Sequence, residues 1–395
     1  MSWSEIINQE RVKQLLSSAL SKGRVAHAYL FVGPEGVGKD AVALEFAKIL
    51  NCSSPAVSAH QLIEACGTCL SCRRASALEH PDIQIVFALP GGKSTESNDP
   101  LEGFSESELR TIKAELVAKA RDPYHRIAVP RASEIRIKSI RAMRRFASLS
   151  SSLGHWKVIL IFNADEMNEE ASDALLKTLE EPPPRTIFIL TSAYPERLRP
   201  TVVSRCENVQ FDFLREDDIR DALVVRHSVA QSQAQLAARL AGGNYRRAVE
   251  LLNEDLQKWR QEVVDFLGYS VAGKYLALVE KIEQWSGEGR ELLAHRLELM
   301  LSWLRDVMFV QTGSPELIFN VDMRERLERF VDLYPDSALN SGRIERALKT
   351  VEATIRALDR NANTALALAL LALDLRRDLA ESHAAPIQLV EGSHI

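Results

Sequence analysis

The sequence predicts an α/β domain built on a parallel sheet, followed by a short helical segment and an all-helical remainder. Three observations predict it. Residues 157–162 (Lys-Val-Ile-Leu-Ile-Phe) form an unbroken apolar run, as a buried strand does. A helix follows with Leu175, Leu176 and Leu179 on one face, and Pro182-Pro183-Pro184 stops it. Residues 186–191 form a second apolar run, and a short strand around Val209 and Phe211 closes the segment. Strand, helix, strand at this spacing is a βαβ unit, which implies a parallel sheet. The second observation is an earlier strand, residues 28–32, running into a glycine loop and a helix. The third is that everything from about residue 255 reads helical, for example 292–309 and 344–358, with Gly and Pro breaks between. In such sheets ligands gather at the carboxyl ends of the strands, so the residues ending each strand matter most.

The chain has 395 residues, of which 46% are hydrophobic, enough for two or three cored domains. The expected division is 1–213, 214–254 and 255–385, with 386–395 as a loose tail. The formal net charge of -5 gives no global basic field for nucleic acid. The start, Met-Ser-Trp-Ser-Glu, has no apolar secretory core. The richest apolar run, 362–375, is interrupted by Asn363, Thr364 and Asp374 and is too short for a bilayer. A cytoplasmic protein with no membrane partner is the expectation. Five cysteines in such a chain argue for metal or reduced thiols over disulfides.

In chain order, residues 1–22 read as a helix with Val12, Leu15, Leu16, Ala19 and Leu20 at helical spacing. His27, before the first strand, fits a packing role. Gly33-Pro34-Glu35-Gly36-Val37-Gly38-Lys39-Asp40 then lies between strand and helix, the context a phosphate-binding loop requires. Gly33, Gly36 and Gly38 let backbone N–H groups face a phosphate beside the positive end of a helix, and Lys39 would reach the outer phosphates. The last position should be Ser or Thr, whose hydroxyl ligates Mg²⁺, but it is Asp40. A carboxylate there could bind Mg²⁺. It would also sit near the triphosphate, where two unit charges about 4 Å apart repel by roughly 4 kcal/mol at an effective dielectric near 20. Weak or absent ATP/Mg²⁺ binding is expected.

Cys52, Cys66, Cys69 and Cys72 supply four thiolates, three of them at x₂ spacing. That is the count for a closed, structural Zn²⁺ site; reduced thiols or an iron–sulfur cluster are the other readings. Residues 88–130 look inserted. Within them Leu89-Pro90-Gly91-Gly92-Lys93-Ser94-Thr95 imitates a second phosphate loop, but Phe87 stands where its first glycine should and no helix follows directly. Ser105 and Glu108 form a capping-box signature for a helix to about Ala120. The insertion is expected to be a surface excursion. A helix over 135–150 carries Arg136, Lys138, Arg141, Arg144 and Arg145, a basic face that is either solvated or a DNA contact.

The phosphate loop, the four-cysteine module, Leu175-Leu176-Lys177-Thr178-Leu179-Glu180-Glu181-Pro182-Pro183 and Ser204-Arg205-Cys206 together resemble the bacterial clamp-loader AAA+ subunits of the DNA polymerase III holoenzyme, a family with tau/gamma and delta prime branches. The resemblance covers residues 1 to about 254 by motif and the rest by architecture. It implies a RecA-like domain, a small helical lid and a helical collar. It also implies a five-subunit ring with tau/gamma and delta subunits, which loads the sliding clamp onto primed DNA. It places the two acids of an active ATPase, one holding Mg²⁺ and one orienting water, at Phe162 and Asn163, neither acidic. Asp165 and Glu166 fall later, in the delta prime pattern Ala-Asp-x-Met (Ala164 to Met167). Thr191 and Ser192 match the sensor-one position, Arg246 the sensor-two arginine, and Arg205 the arginine finger that acts on a neighbour's nucleotide. Cys206 reads as a small buried thiol. The resemblance therefore points to the non-hydrolysing delta prime branch. A tau/gamma-type ATPase would need Asp40 as metal ligand and Asp165 or Glu166 as the acid. A free-standing AAA+ remodelling enzyme would form homohexamers.

Overall fold

The computed structural model describes residues 2–379 except 59, 92–98, 154–155, 254–255, 315–316, 334–340 and 361. The expected tail 386–395 and most of the imitation loop 89–95 lie outside the described residues. The chain divides into two compact units, Met1–Glu250 and Leu251–Ile395.

The first unit opens with a 3-10 turn, Trp3–Glu5, and then helix α1, Glu10–Ser21. The expected single helix over 1–22 is broken because Asn8 and Gln9 adopt positive φ. The break lets Trp3, Ile6 and Ile7 bury their side chains. Strand β1 is Ala28–Val32 and helix α2 is Lys39–Leu50. The His27 side chain is exposed, contrary to a packing role; its backbone carbonyl accepts from Phe188 N–H. The two-residue strands β2, Ala56–Val57, and β3, Ile63–Glu64, pair antiparallel, and helix α3, Leu70–Ser76, follows. Strand β4 is Ile83–Val86, and helix α4, Glu106–Arg121, is opened by the Ser105–Glu108 capping box. Helix α5, Ile137–Ser148, is shorter at both ends than 135–150 because Arg136 and Leu149 are extended. Its Arg141, Arg144 and Arg145 are exposed while Ile140, Met143 and Ala147 are buried.

Strand β5, Lys157–Ile161, helix α6, Glu169–Glu180, and strand β6, Thr186–Ser192, are the βαβ unit. Asn168 caps α6 by accepting from Ala171 N–H at 2.9 Å. The short helix α7, Pro200–Val203, leads to strand β7, Glu207–Gln210. Among the described residues five strands form one sheet in the order β4-β5-β6-β1-β7, with every pairing parallel. This is the RecA-like AAA+ arrangement. The buried strands carry apolar side chains on both faces, as a sheet covered on both sides needs. The chain leaves β1 for β4 across two intervening strands, so the loop after β1 opens at the carboxyl edge where connections diverge, the place such sheets keep for ligands. Helices α8, Glu216–His227, α9, Gln231–Leu240, and the start of α10, Tyr245–Asn253, complete the unit.

The second unit is helical throughout its described residues. It contains α11, Leu256–Ala272, α12, Tyr275–Gly287, α13, Arg290–Gln311, α14, Arg324–Leu333, α15, Ser341–Asp359, and α16, Thr364–Leu379. Its core holds Phe266 stacked on Trp285 at 5.0 Å and the buried Arg296 over the rings of Trp259 and Trp285. Leu276 and Val279 on α12 and Leu366, Leu370 and Leu373 on α16 are exposed.

Candidate functional site

The phosphate loop folds as its glycines require. Gly36 and Gly38 take φ of +68° and +98°, and Gly38 opens α2 as its N-cap. Close approach matters as much as φ: a Cβ on Gly36 would lie 1.8 Å from Asn244 Oδ1, and one on Gly38 would lie 2.9 Å from the Tyr124 hydroxyl. So the loop has neighbours where a phosphate-binding loop usually has open space. Lys39 is buried, and its ammonium donates to the carbonyls of Gly33 and Pro34 at 2.7 and 2.6 Å, back into its own loop. Burial lowers it to about 8, against the pull of Asp40 and Glu35.

Asp40 is not left facing outward. Its Oδ2 accepts from Lys119 Nζ at 2.8 Å and its Oδ1 from the Thr191 hydroxyl at 2.8 Å. Burial would raise the Asp40 carboxyl, but Lys119, the two hydrogen bonds and Lys39 outweigh it and hold the group below its usual range. Lys119 is 1% exposed. Its ammonium also donates to the His125 carbonyl at 2.7 Å and sits 5.0 Å from the Phe162 ring centroid. Lys119 and Tyr124 come from residues 88–130, expected to be a surface excursion. That expectation is corrected in part: the exposed face of α4 is solvated, but Ile112, Lys119, Tyr124 and Val129 are buried and the segment covers the loop. The space left beside the loop is a cavity of about 50 Å³, walled by Gly36, Lys39, Asp40, Lys119, Tyr124 and Arg246 among others. Small-molecule pockets are commonly some 300 Å³ or more.

The other expected residues separate into those at this cleft and those away from it. Thr191 and Ser192 end β6 fully buried; Thr191 reaches Asp40, whereas Ser192 donates to Asp165 at 2.6 Å. Phe162 and Asn163 follow β5, with Asn163 lining the cavity. Glu166 pairs with Arg126 at 3.0 Å, and burial raises its carboxyl despite that pair. Arg246 lies at the loop, ion-paired to Glu35 and 3.5 Å from Glu250. With 23% of its side chain exposed, it is engaged and not an idle surface group. Sequence reasoning missed Lys119, Tyr124, Arg126 and Glu35. The one available signal was Asp40 itself, since a carboxylate at a loop that gathers negative charge needs a cation.

Arg205 stands apart from the loop, after α7. It is 34% exposed, donates to Thr201 O at 2.9 Å and pairs with Glu180 at 2.7 Å, at the end of α6. The neighbouring Cys206 thiol is pushed up to about 12 by burial, which makes it inert.

The four cysteines come together. The Sγ atoms of Cys52, Cys66, Cys69 and Cys72 all lie within 4.8 Å of one another, with Cys66 and Cys72 3.9 Å apart. Zn–S bonds of about 2.3 Å in a tetrahedron put sulfurs about 3.8 Å apart, so the set fits a metal. The N–H groups of Cys66, Cys69 and Cys72 point at the sulfurs of Cys52, Cys66 and Cys69, which favours thiolates. Cys69 and Thr68 N–H groups lower Cys66 to about 6. With four protein ligands no position is open to a substrate.

Among the described residues no helix is long and apolar enough to cross a membrane. The family model described as "DNA polymerase III, delta subunit" matches residues 8–215. The DNA polymerase III subunit delta' of Bacillus subtilis is 28% identical over 333 residues, covering 83% of this chain and 86% of that protein. The delta' subunit of Pseudomonas aeruginosa is 28% identical, covering 81% and 84%. The tau subunit of Escherichia coli is 29% identical over 73% of this chain, which spans only 39% of tau. A gamma subunit-related protein from Thermotoga maritima, a solved structure, aligns at TM-score 0.41 and 18% identity, covering 93% of this chain and 98% of that one. By the family match over more than half its length, the chain belongs to the DNA polymerase III delta-subunit family of clamp-loader proteins.

Proposed function

We propose that this chain is the delta prime-type subunit of a clamp loader: it hydrolyses no ATP itself and lends Arg205 in trans to the nucleotide of a neighbouring subunit. The observation that carries this reading is the state of Asp40. A hydrolysing site needs a metal ligand at this position, and here the carboxylate is consumed by Lys119 and Thr191. The tau/gamma alternative, supported by the match to tau, needs Asp40 on Mg²⁺ and Asp165 or Glu166 as acid. Asp165 is tied to Ser192 and Glu166 to Arg126.

Arg205 is suited to the trans role because its pair with Glu180 is half exposed and exchangeable. A neighbour's phosphate, more negative than one carboxylate, would draw the planar guanidinium away. The proposed assembly is a five-subunit ring with tau/gamma and delta subunits, acting in the cytoplasm on the sliding clamp and primed DNA. Residues 214–254 act as the lid. The second unit acts as the collar, its exposed leucines on α12 and α16 facing other subunits. One structural Zn²⁺ is held by Cys52, Cys66, Cys69 and Cys72, and no ATP or Mg²⁺ serves as a cofactor in the chain's own site.

The test is reconstitution with tau/gamma and delta partners. Arg205→Ala should assemble normally and lower DNA-stimulated ATP hydrolysis and clamp loading. An arginine finger contributes roughly 10³ to 10⁵ at the site it serves, diluted here by the other sites of the ring. Lys39→Ala in the same chain should do far less. The reverse order, with Lys39 essential and Arg205 dispensable, would make this chain an ATPase.

A further inference from the structure

We propose that residues 119–126 of the inserted segment are a permanent internal ligand of the nucleotide cleft, holding the lid on the phosphate loop as a nucleotide would. A bound nucleotide would offer this cleft a metal cation at the first helical turn and a flat, hydrogen-bonding ring beside the loop. The insertion supplies a counterpart of each. Lys119 brings the cation, seated on Asp40 where a metal-binding hydroxyl would stand. Tyr124 brings the ring. Its hydroxyl lies against the backbone of Gly38 and accepts from Ile7 N–H at 2.9 Å. The ring packs edge-to-face with that of Tyr245 at 4.8 Å between centroids, and the Arg226 guanidinium lies 5.4 Å from the Tyr124 ring and 5.3 Å from that of Tyr245.

Tyr124 thereby touches three segments far apart in sequence: the N-terminal segment at Ile7, the loop at Gly38, and the helices at Arg226 and Tyr245. Those helices are locked to the loop in the same place. Tyr245 N–H donates to Gly36 O at 3.2 Å, the Asn244 side chain fills the space above Gly36, and Arg246 pairs with Glu35. Asp40 and Lys119 also account for each other. Alone, a carboxylate in this loop would repel phosphate and a buried ammonium would lack a partner; together they neutralise each other and close the cleft to about 50 Å³. The ligand that fits is therefore the chain's own segment, and nucleoside phosphates are shut out. The inference is separate from the trans role of Arg205, whose surroundings the variants below leave unchanged.

Amide hydrogen exchange on the full-length chain tests it. In the unaltered protein, millimolar MgATP should change exchange nowhere. In Tyr124→Ala, the amides of residues 6–9 and 244–250 should exchange at least about tenfold faster while those of β5 and β6 keep their protection. Tyr124→Phe keeps the ring and removes only the hydroxyl, so it should speed Ile7 and leave the lid amides as they are. Three results would overturn the proposal: unchanged lid exchange in Tyr124→Ala, slower lid exchange when MgATP is added to the unaltered protein, or release of residues 119–126 by MgATP. If Tyr124→Ala loosens the whole sheet, Tyr124→Phe decides, because unchanged Ile7 exchange there would remove the hydroxyl from its assigned place.

Discussion

Replacing Lys119 by Met removes one charge and keeps most of the side-chain volume, which isolates what the ion pair does. At 2.8 Å and an effective dielectric near 20, the attraction is roughly 6 kcal/mol before desolvation is subtracted. Breaking a buried pair by removing one partner costs about 3–5 kcal/mol, because the other charge is left without compensation. Asp40 retains the Thr191 hydrogen bond and is 23% exposed, so the lower end, about 3 kcal/mol, is expected. For a unit of this size that is a fall of roughly 6–12 °C in the transition that reports on it. The pH dependence gives a second reading. In the unaltered protein the folded Asp40 carboxyl is held below its unfolded value. The unfolded chain therefore takes up the proton first as pH falls, and the stabilisation, complete above the unfolded value, is lost on acidification through the folded one. In Lys119→Met burial acts with less opposition and raises the carboxyl, so the deficit against the unaltered protein should shrink as pH falls from neutrality towards the ordinary carboxylate range. Guanidinium unfolding of Lys119→Met, Asp40→Asn and the double variant completes the cycle. A deficit under about 0.5 kcal/mol, unchanged with pH and with no coupling to Asp40, would refute the reasoning, since exposed pairs behave that way.

Protein purified without chelator should carry one zinc per chain by elemental analysis, and Cys72→Ser should lose it; zinc-free protein with full stability would reject the four-cysteine site. Acidification should release that zinc, because the ligands must be thiolates and protons compete for them; a zinc content that does not fall even on titration into strong acid would count against it. Gly36→Ala should destabilise the first unit by at least about 1–3 kcal/mol, since the methyl would meet Asn244 and the +68° φ disfavours any side chain; thermal unfolding measures it, and an unchanged melting temperature would show that the loop and Asn244 are not in contact. Arg205→Ala in the isolated chain should change stability by less than about 1 kcal/mol, because its pair with Glu180 is only half-buried and reached by solvent, and circular dichroism melts would expose a larger structural role.

Much of the first unit was legible because its signals are local. An apolar run such as 157–161 can satisfy its side chains only inside a covered sheet, and Pro182 to Pro184 can end α6 whatever else is nearby. The glycine loop is equally local: its residues lie consecutively between β1 and α2, and Gly36 and Gly38 take the positive φ that glycine allows. The cysteine spacing was local for Cys66, Cys69 and Cys72, and Cys52, read as the fourth thiolate from fourteen residues upstream of Cys66, is brought to them where α2 ends. The N-terminal break was missed because helical periodicity in α1 extends smoothly backwards through Ile6 and Ile7, whose burial is decided by tertiary packing.

By itself, the sequence determined that a parallel sheet carries a glycine loop ending in Lys39-Asp40, that four cysteines are spaced so that they could hold a metal, and that Arg205 stands in a chain with no acid at positions 162 and 163. Only the tertiary structure decided what became of the cleft. Lys119 lies 79 positions from Asp40, and Tyr124 lies 117 from Ile7. Neither residue belongs to a motif, and a helix like α4, with a solvated face and a good N-cap, looks the same whether or not one of its lysines is buried. Charge neutralisation between distant groups depends on which surfaces the chain brings together. Spacing along the sequence carries no record of that, and so the insertion's place in the cleft could be seen only once the chain was folded.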